Sequence, residues 1–461
     1  MALFFILFQI IKSWWWFFLP IFLSLGAKTF YFWWLRWEVW YKKKKWILLE
    51  IRPPRENIKP FSTMENVFSM LWGIYDAPNW KDRWCGGVLP LGGGLWFSFE
   101  IVSFGGEIHF FMRIPEDFRK TAEDILYSQY PDLEISLAED YTQKVPKDIP
   151  NEKWDLYAED YSLLRPDHFP IKTYSMFFER EQEERRIIEE KRLDPLDTLL
   201  EGLSKLNPGE QLWFQIVCNP ITEDTFPWLK KAKEAADKIA KRPGPPPKKP
   251  ILFEFFRFFF LIPIEAVKFL LYGSAGLETT KKEEAKAAEL IAPELRLTPG
   301  EKEVLIAIEN KMKKNAFQCW IRQVFLYRLD QPHSPGNYKI IRTYLMGQFA
   351  APNLNTFVYW GPTRTKIQYF LKKRRLYLRK RQRLRNYIER LPSLWPRTQT
   401  GEPICPFGHV QGRKPGIRGT IILSTEELAT IFHFPIKVLT PALKAVEAKK
   451  TGPPPGLPTR E

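Results

Sequence analysis

The densest concentration of chemistry-bearing side chains lies between Arg364 and Arg390, where twelve lysines and arginines face a single acid, Glu389. Cations at that density suit phosphate oxygens, of lipid or of nucleic acid, through charge-assisted hydrogen bonds and counterion release. Ile367, Phe370, Leu371, Leu378, Leu384, Ile388 and Leu391 keep a spacing that predicts a helix with one buried stripe. Lys372, Lys373, Arg374, Arg375, Arg379, Lys380, Arg381, Arg383 and Arg385 would coat its other sides and are the candidate anion ligands. A solvated connector between domains fits the same pattern. No aromatic stacking pattern accompanies the charges, so sequence-specific reading of bases is not suggested.

Other patterns point away from catalysis. There is no phosphate loop of the Walker A type, and Gly92, Gly93 and Gly94 lead into a strand rather than the helix N-terminus that would hold a phosphate. Cys405 and His409 have ligand-like spacing, but a zinc site needs three or four donors and no second pair accompanies them. Adjacent acids, Glu139 with Asp140 and Glu159 with Asp160, are not isolated in an apolar pocket by anything in the sequence, and no Gly-x-Ser-x-Gly elbow occurs. Cys85, Cys218, Cys319 and Cys405 form no Cys-x-x-Cys pair, which fits a reducing compartment. The sequence thus implies neither an enzyme, nor a metal, nor a cofactor.

The elements around these residues begin with an apolar run at positions 3–25, interrupted by Gln9, Lys12, Ser13, Pro20 and Ser24. As a helix it would rise roughly 35 Å, enough to cross a bilayer core, against a cost of about 3 kcal/mol for Lys12 at the centre. Trp33, Trp34, Trp37, Trp40 and Tyr41 follow as headgroup-level rings, then Lys42, Lys43, Lys44 and Lys45. The positive-inside rule then predicts a single-pass protein of the inner or plasma membrane with its bulk in the cytoplasm. A cleaved signal peptide is the competing reading, opposed by an uncharged n-region.

The fold class expected is α+β: this N-terminal transmembrane helix followed by two ferredoxin-like, split βαβ domains with helical insertions. Residues 1–45 form the anchor and interface. Residues 46–140 carry the first domain, with a hairpin at Gly105 and Gly106. Residues 141–193 are a connector with a charged helix. A second α/β domain spans 194–360, with an insertion at 221–298. Within it, residues 251–272 predict an amphipathic helix whose Phe255 and Phe259 would lie on a membrane interface; a core helix and a second span are the alternatives. Residues 361–395 hold the basic helix, and 396–461 a capped helix, with Ser424 and Glu427 as a capping box, before a proline-rich tail. A net charge of +16 over 461 residues asks for an anionic partner, and 39 prolines imply compact units on linkers.

The stretches LLEIRPPRENIKPFSTMENVF at 48–68, SFEIVSFGGEIHFFMRIP at 98–115, YSQYPDLEI at 127–135, GEQLWFQIV at 209–217, NLNTFV at 353–358 and, most specifically, LSTEELATIFHFP at 423–435 carry a family likeness. The chain resembles the pre-motor region of bacterial membrane-anchored ATPases related to type IV secretion and conjugation coupling proteins. In that family a proline-rich connector leads into a motor with Walker motifs, and no such motor is present in this sequence. The resemblance implies a non-catalytic tethering or assembly role at a membrane, with an ATPase motor on another chain or in a missing C-terminal domain. A stand-alone membrane-surface protein that binds nucleic acid through its basic helix is the alternative. Nucleic acid and a second copy of the chain are further candidate partners.

Overall fold

The computed structural model describes residues 44–54, 59–74, 96–177, 194–223, 228–240, 242, 297–361, 363–368, 371–390 and 421–435, with isolated positions between Ser13 and Tyr31. By internal contacts the chain divides into two units, residues 229–310 and the remainder.

The larger unit is built on strands. β1 (Trp46–Arg52) is followed by α1 (Phe61–Leu71), which buries Met64, Val67, Phe68 and Leu71 at helical spacing. β2 (Phe97–Phe104) and β3 (Glu107–Pro115) form a hairpin. Its turn needs glycine: Gly105 and Gly106 take φ of +56° and +100°, and a Cβ on either would stand 2.8 Å from the backbone of Pro208 or Ser204. After α2 (Arg119–Gln129) and β4 (Glu134–Ala138) comes β5 (Trp154–Leu163). Asp194 caps α3 (Pro195–Ser204) by accepting from the Leu196 N–H, with Pro195 in the first turn where no donor is needed. β6 (Glu210–Ile221) follows.

The smaller unit is described at its ends, by α4 (Trp228–Ile239) and α5 (Pro299–Met312). Arg242 pairs with both Asp237 at 3.3 Å and Glu309 at 3.5 Å, which ties the two helices together. The chain then returns through β7 (Ala316–Arg328), α6 (Lys339–Thr343), β8 (Phe357–Tyr359), α7 (Lys372–Ile388), β9 (Ile421–Ser424) and α8 (Thr425–Ile431).

All nine strands described join one antiparallel sheet in the order β4-β1-β3-β2-β6-β7-β5-β8, with β9 paired to β7. The last four strands of that path repeat the order of the first four in mirror image about the β2–β6 pair. One face carries α1, α2, α3, α6 and α8 over a core that includes Phe68, Phe99, Leu199, Phe214, Phe317 and Phe432. The other face is covered by residues 141–149 and α7 over Val102, Phe111, Trp213, Val324, Leu384 and Tyr387.

This architecture corrects the expected fold class. In place of two separate ferredoxin-like domains behind a transmembrane helix, the strands form one continuous sheet. β2 and β6 are buried on both faces and bond to each other from Phe97 opposite Cys218 to Phe104 opposite Gln211, so neither is a domain edge. β5 falls in the stretch expected to be connector. The expected span is corrected as well: among the described residues no helix is long and apolar enough to cross a membrane. With it falls the single-pass placement at the inner or plasma membrane. Apolar composition is necessary for a span and not sufficient, and Lys12, Ser13 and Pro20 break the run. Most of positions 3–25 lies outside the described residues, although Ser13, Trp15, Trp16, Leu19, Pro20, Leu23 and Ser24 are helical.

Candidate functional site

Within the expected 361–395, the basic helix runs from Lys372 to Ile388. Trp360 and Thr365 instead lie along β5: Trp360 donates to the Asp160 carbonyl (2.7 Å), and Thr365 to that of Ala158 (3.0 Å). Leu371 opens the helix at a φ of +50° with no side-chain cap, and the first turn holds no acid. Lys372, Lys373, Arg374 and Arg375 are all exposed there, at the positive end of the helix dipole, where cations are disfavoured.

Nearer its middle α7 divides its charges between inside and outside. Lys380 pairs with Asp155 at 2.5 Å, Arg383 with Asp160 at 3.3 Å, and Arg379 donates to the Arg364 carbonyl at 2.9 Å. Burial pushes Arg383 down, partly offset by the Asp160 carboxylate. Arg381 and Arg385 remain exposed, one on the Tyr377 hydroxyl and the other on Glu389. The expected stripe is shifted: Leu371 and Leu378 are exposed, and Arg383, Leu384, Asn386 and Tyr387 face inward.

The inward face is polar because the sheet beneath it is polar. Glu100 of β2 stands opposite Gln215 of β6, Gln215 opposite Arg322 of β7, and Arg322 opposite Asp160 of β5. Glu100 is fully buried and accepts from Ser98 (2.7 Å), Gln215 (2.8 Å), Tyr141 (2.6 Å) and both Nε and Nη2 of Arg390 (3.0 and 3.1 Å). Tyr141 gives its one proton to Glu100, so Tyr387, 2.9 Å away, donates to Tyr141. Burial opposes the charge on Glu100, but the Arg390 guanidinium outweighs it and holds the carboxyl below its usual range. Asp140 takes the far side of Arg390 at 2.7 Å. A carboxylate saturated in this way is structural, since no lone pair faces a substrate.

A second polar cluster lies on the opposite face, at the β5–β8 edge. Buried Glu159 accepts from Tyr157 (2.7 Å), Tyr161 (2.9 Å), Gln323 (2.8 Å) and Arg342. Arg364 donates through Nε to the Tyr157 hydroxyl at 2.8 Å. The Arg342 and Arg364 guanidiniums lie 4.9 and 4.8 Å from the ring centroid of Tyr359, a residue 39% exposed. The sequence shows no aromatic stacking pattern among these charges; the fold brings Tyr359 to Arg364 from outside the segment. Tyr359 lies in β8, just before that segment, and meets Arg364 because the chain folds back along β5.

A third cluster fixes α8. Glu427 completes the expected capping box with Ser424 and also meets Lys311 Nζ at 2.9 Å, with both side chains almost wholly buried. Lys311 donates further to the carbonyls of Asp167 and Ile422. His433 lies beside Asp194 at 2.7 Å, and burial together with Asp194 pushes Asp197 up to about 6.

Of the remaining expected sites, Lys44 pairs with Asp117 at 3.0 Å, and the Lys45 carbonyl accepts from Glu116 at 3.0 Å. Trp33, Trp34, Trp37, Trp40, Tyr41, Lys42, Lys43, Phe255, Phe259, Cys405 and His409 lie outside the described residues. Among the described residues no group of three or more acidic, histidine or cysteine side chains is placed to hold a metal. No protein-family model matches the chain, and no curated protein matches it.

Proposed function

We propose that this chain is a non-catalytic module that binds nucleic acid by gripping the phosphodiester backbone with the outward face of α7. The observation that supports it most is the sorting of that helix's charges. Inner cations are committed to Asp155, Asp160 and a backbone carbonyl, while Lys372, Lys373, Arg374, Arg375, Arg381 and Arg385 face solvent. Phosphate contacts of this kind fix position without reading sequence. The full-length chain, titrated with a fluorescently labelled duplex and a labelled single strand, tests the reading. Combining Arg374→Glu, Arg381→Glu and Arg385→Glu is expected to weaken both complexes about tenfold or more, as loss of phosphate contacts does irrespective of sequence. Unchanged affinity would remove α7 from the account.

A second reading places the module in a translocation apparatus of the type IV secretion or conjugation class, as an assembly component for an ATPase motor on another chain. What favours it is the segment that bears the family likeness most specifically, residues 423–435. It is built into the sheet through β9 and held by the Lys311–Glu427 pair, and so offers a rigid point of attachment. Affinity purification of the tagged chain from its native cells should recover a phosphate-loop ATPase; recovery of the chain without one would contradict it.

A further inference from the structure

We propose that Tyr359, flanked by Arg342 and Arg364, is a base-stacking site, and that the polyanion this chain takes is single-stranded nucleic acid. The inference rests on the phosphate-binding reading of α7 and adds to it the strandedness of the ligand.

Position comes first. Arg379 of α7 donates to the Arg364 carbonyl at 2.9 Å, and the Arg364 side chain turns to Tyr359. The ring is therefore joined to α7 through one residue. Trp360, Thr363 and Thr365 hold that geometry by bonding to β5, with the Thr363 hydroxyl accepting from the Asp160 N–H at 3.3 Å and the Thr365 hydroxyl from the Ala158 N–H at 2.8 Å.

Chemistry comes second. Arg342 is held by the buried Glu159 and lies 5.1 Å from the Tyr338 ring as well as 4.9 Å from that of Tyr359. Arg364 is held by the Tyr157 hydroxyl. Both guanidiniums are thus placed before any ligand arrives, which lowers the ordering cost of binding. One carboxylate, Glu159, serves two guanidiniums, so the cluster keeps a positive charge, and Lys366 beside it is exposed. The exposed part of the Tyr359 ring and the guanidinium planes laid over it offer the π-face of a base a stacking partner, while Lys366 and the exposed cations of α7 meet its phosphates. A duplex keeps its bases stacked within the helix and has none to offer. An acidic peptide matches the charge and leaves the ring unused.

The test titrates the full-length chain with labelled oligothymidylate of about 20 nucleotides, longer than the roughly 4–16 that compact single-strand sites cover. A duplex of the same length and polyglutamate are run beside it at one salt concentration. Oligothymidylate should bind more tightly than the duplex. Tyr359→Leu should weaken it about 5- to 150-fold, the range that one base–aromatic stack supplies, without changing duplex affinity. Tyr359→Trp should keep the preference, and it decides the matter even if the leucine variant fails to fold. If single strand and duplex bind equally and neither Tyr359 variant matters, stacking is overturned while the α7 reading stands. If neither nucleic acid binds, both fall. Polyglutamate binding as tightly as oligothymidylate would likewise overturn the inference in favour of an acidic protein.

Discussion

Arg390 takes a left-handed φ of +52°, a conformation that costs a non-glycine residue about 1–2 kcal/mol. It thereby ends α7 and turns its guanidinium back to Glu100 and Asp140. Removing one member of a buried pair leaves the other uncompensated, so Arg390→Met should lower unfolding free energy by about 3–5 kcal/mol in a urea titration. Adding Glu100→Leu should recover much of that loss; a double variant as unstable as the single one would show that packing, not charge, is what Arg390 supplies. None of this was legible beforehand. Glu100 and Arg390 are 290 residues apart, and in sequence Arg390 is one of twelve indistinguishable cations. Glu100, Gln215 and Arg322 do stand out as polar residues inside buried strands, but the register that aligns them is long-range.

Elements were more legible than their partners. The Gly105–Gly106 hairpin, α1, α2 and the capped α8 follow from turn chemistry, periodicity and capping residues close in sequence. β5 falls inside the expected connector because Asp155, Glu159 and Asp160 break the apolar pattern of a core strand, whereas the fold gives each acid a partner. The onset of α7 was misplaced because Arg364 and Lys366 share its composition while Thr365 between them bonds to β5. For α8 the geometry separates two adjacent acids. Glu427→Ala strands the buried Lys311 ammonium and should cost about 3–5 kcal/mol. Glu426→Ala, which removes a partly exposed pair with Lys314, should cost about 1 kcal/mol or less. Amide hydrogen exchange over residues 421–432 checks this: fast exchange in the first variant alone is expected, and equal exchange in both would contradict it.

At the scale of the whole molecule, the sheet holds Arg390, Arg383 and Lys380 on the internal carboxylates Glu100, Asp160 and Asp155, while Lys372, Lys373, Arg374, Arg375, Arg381 and Arg385 of α7 stay exposed, the arrangement on which the proposed grip on a polyanion rests. The continuous sheet could have been suspected from β2 and β6, whose apolar residues occupy both faces as central strands require. The net charge of +16 was plain from composition, but only the fold separates cations held by internal carboxylates from those turned outward. The salt dependence of oligonucleotide binding to the full-length chain measures that outward set most directly. The account predicts a logarithmic slope steeper than about −2, reduced by roughly 2 when Arg374, Arg381 and Arg385 are all changed to Glu, at about 0.7 per single-strand phosphate contact. A slope near zero, or one that the three substitutions leave unaltered, would contradict it.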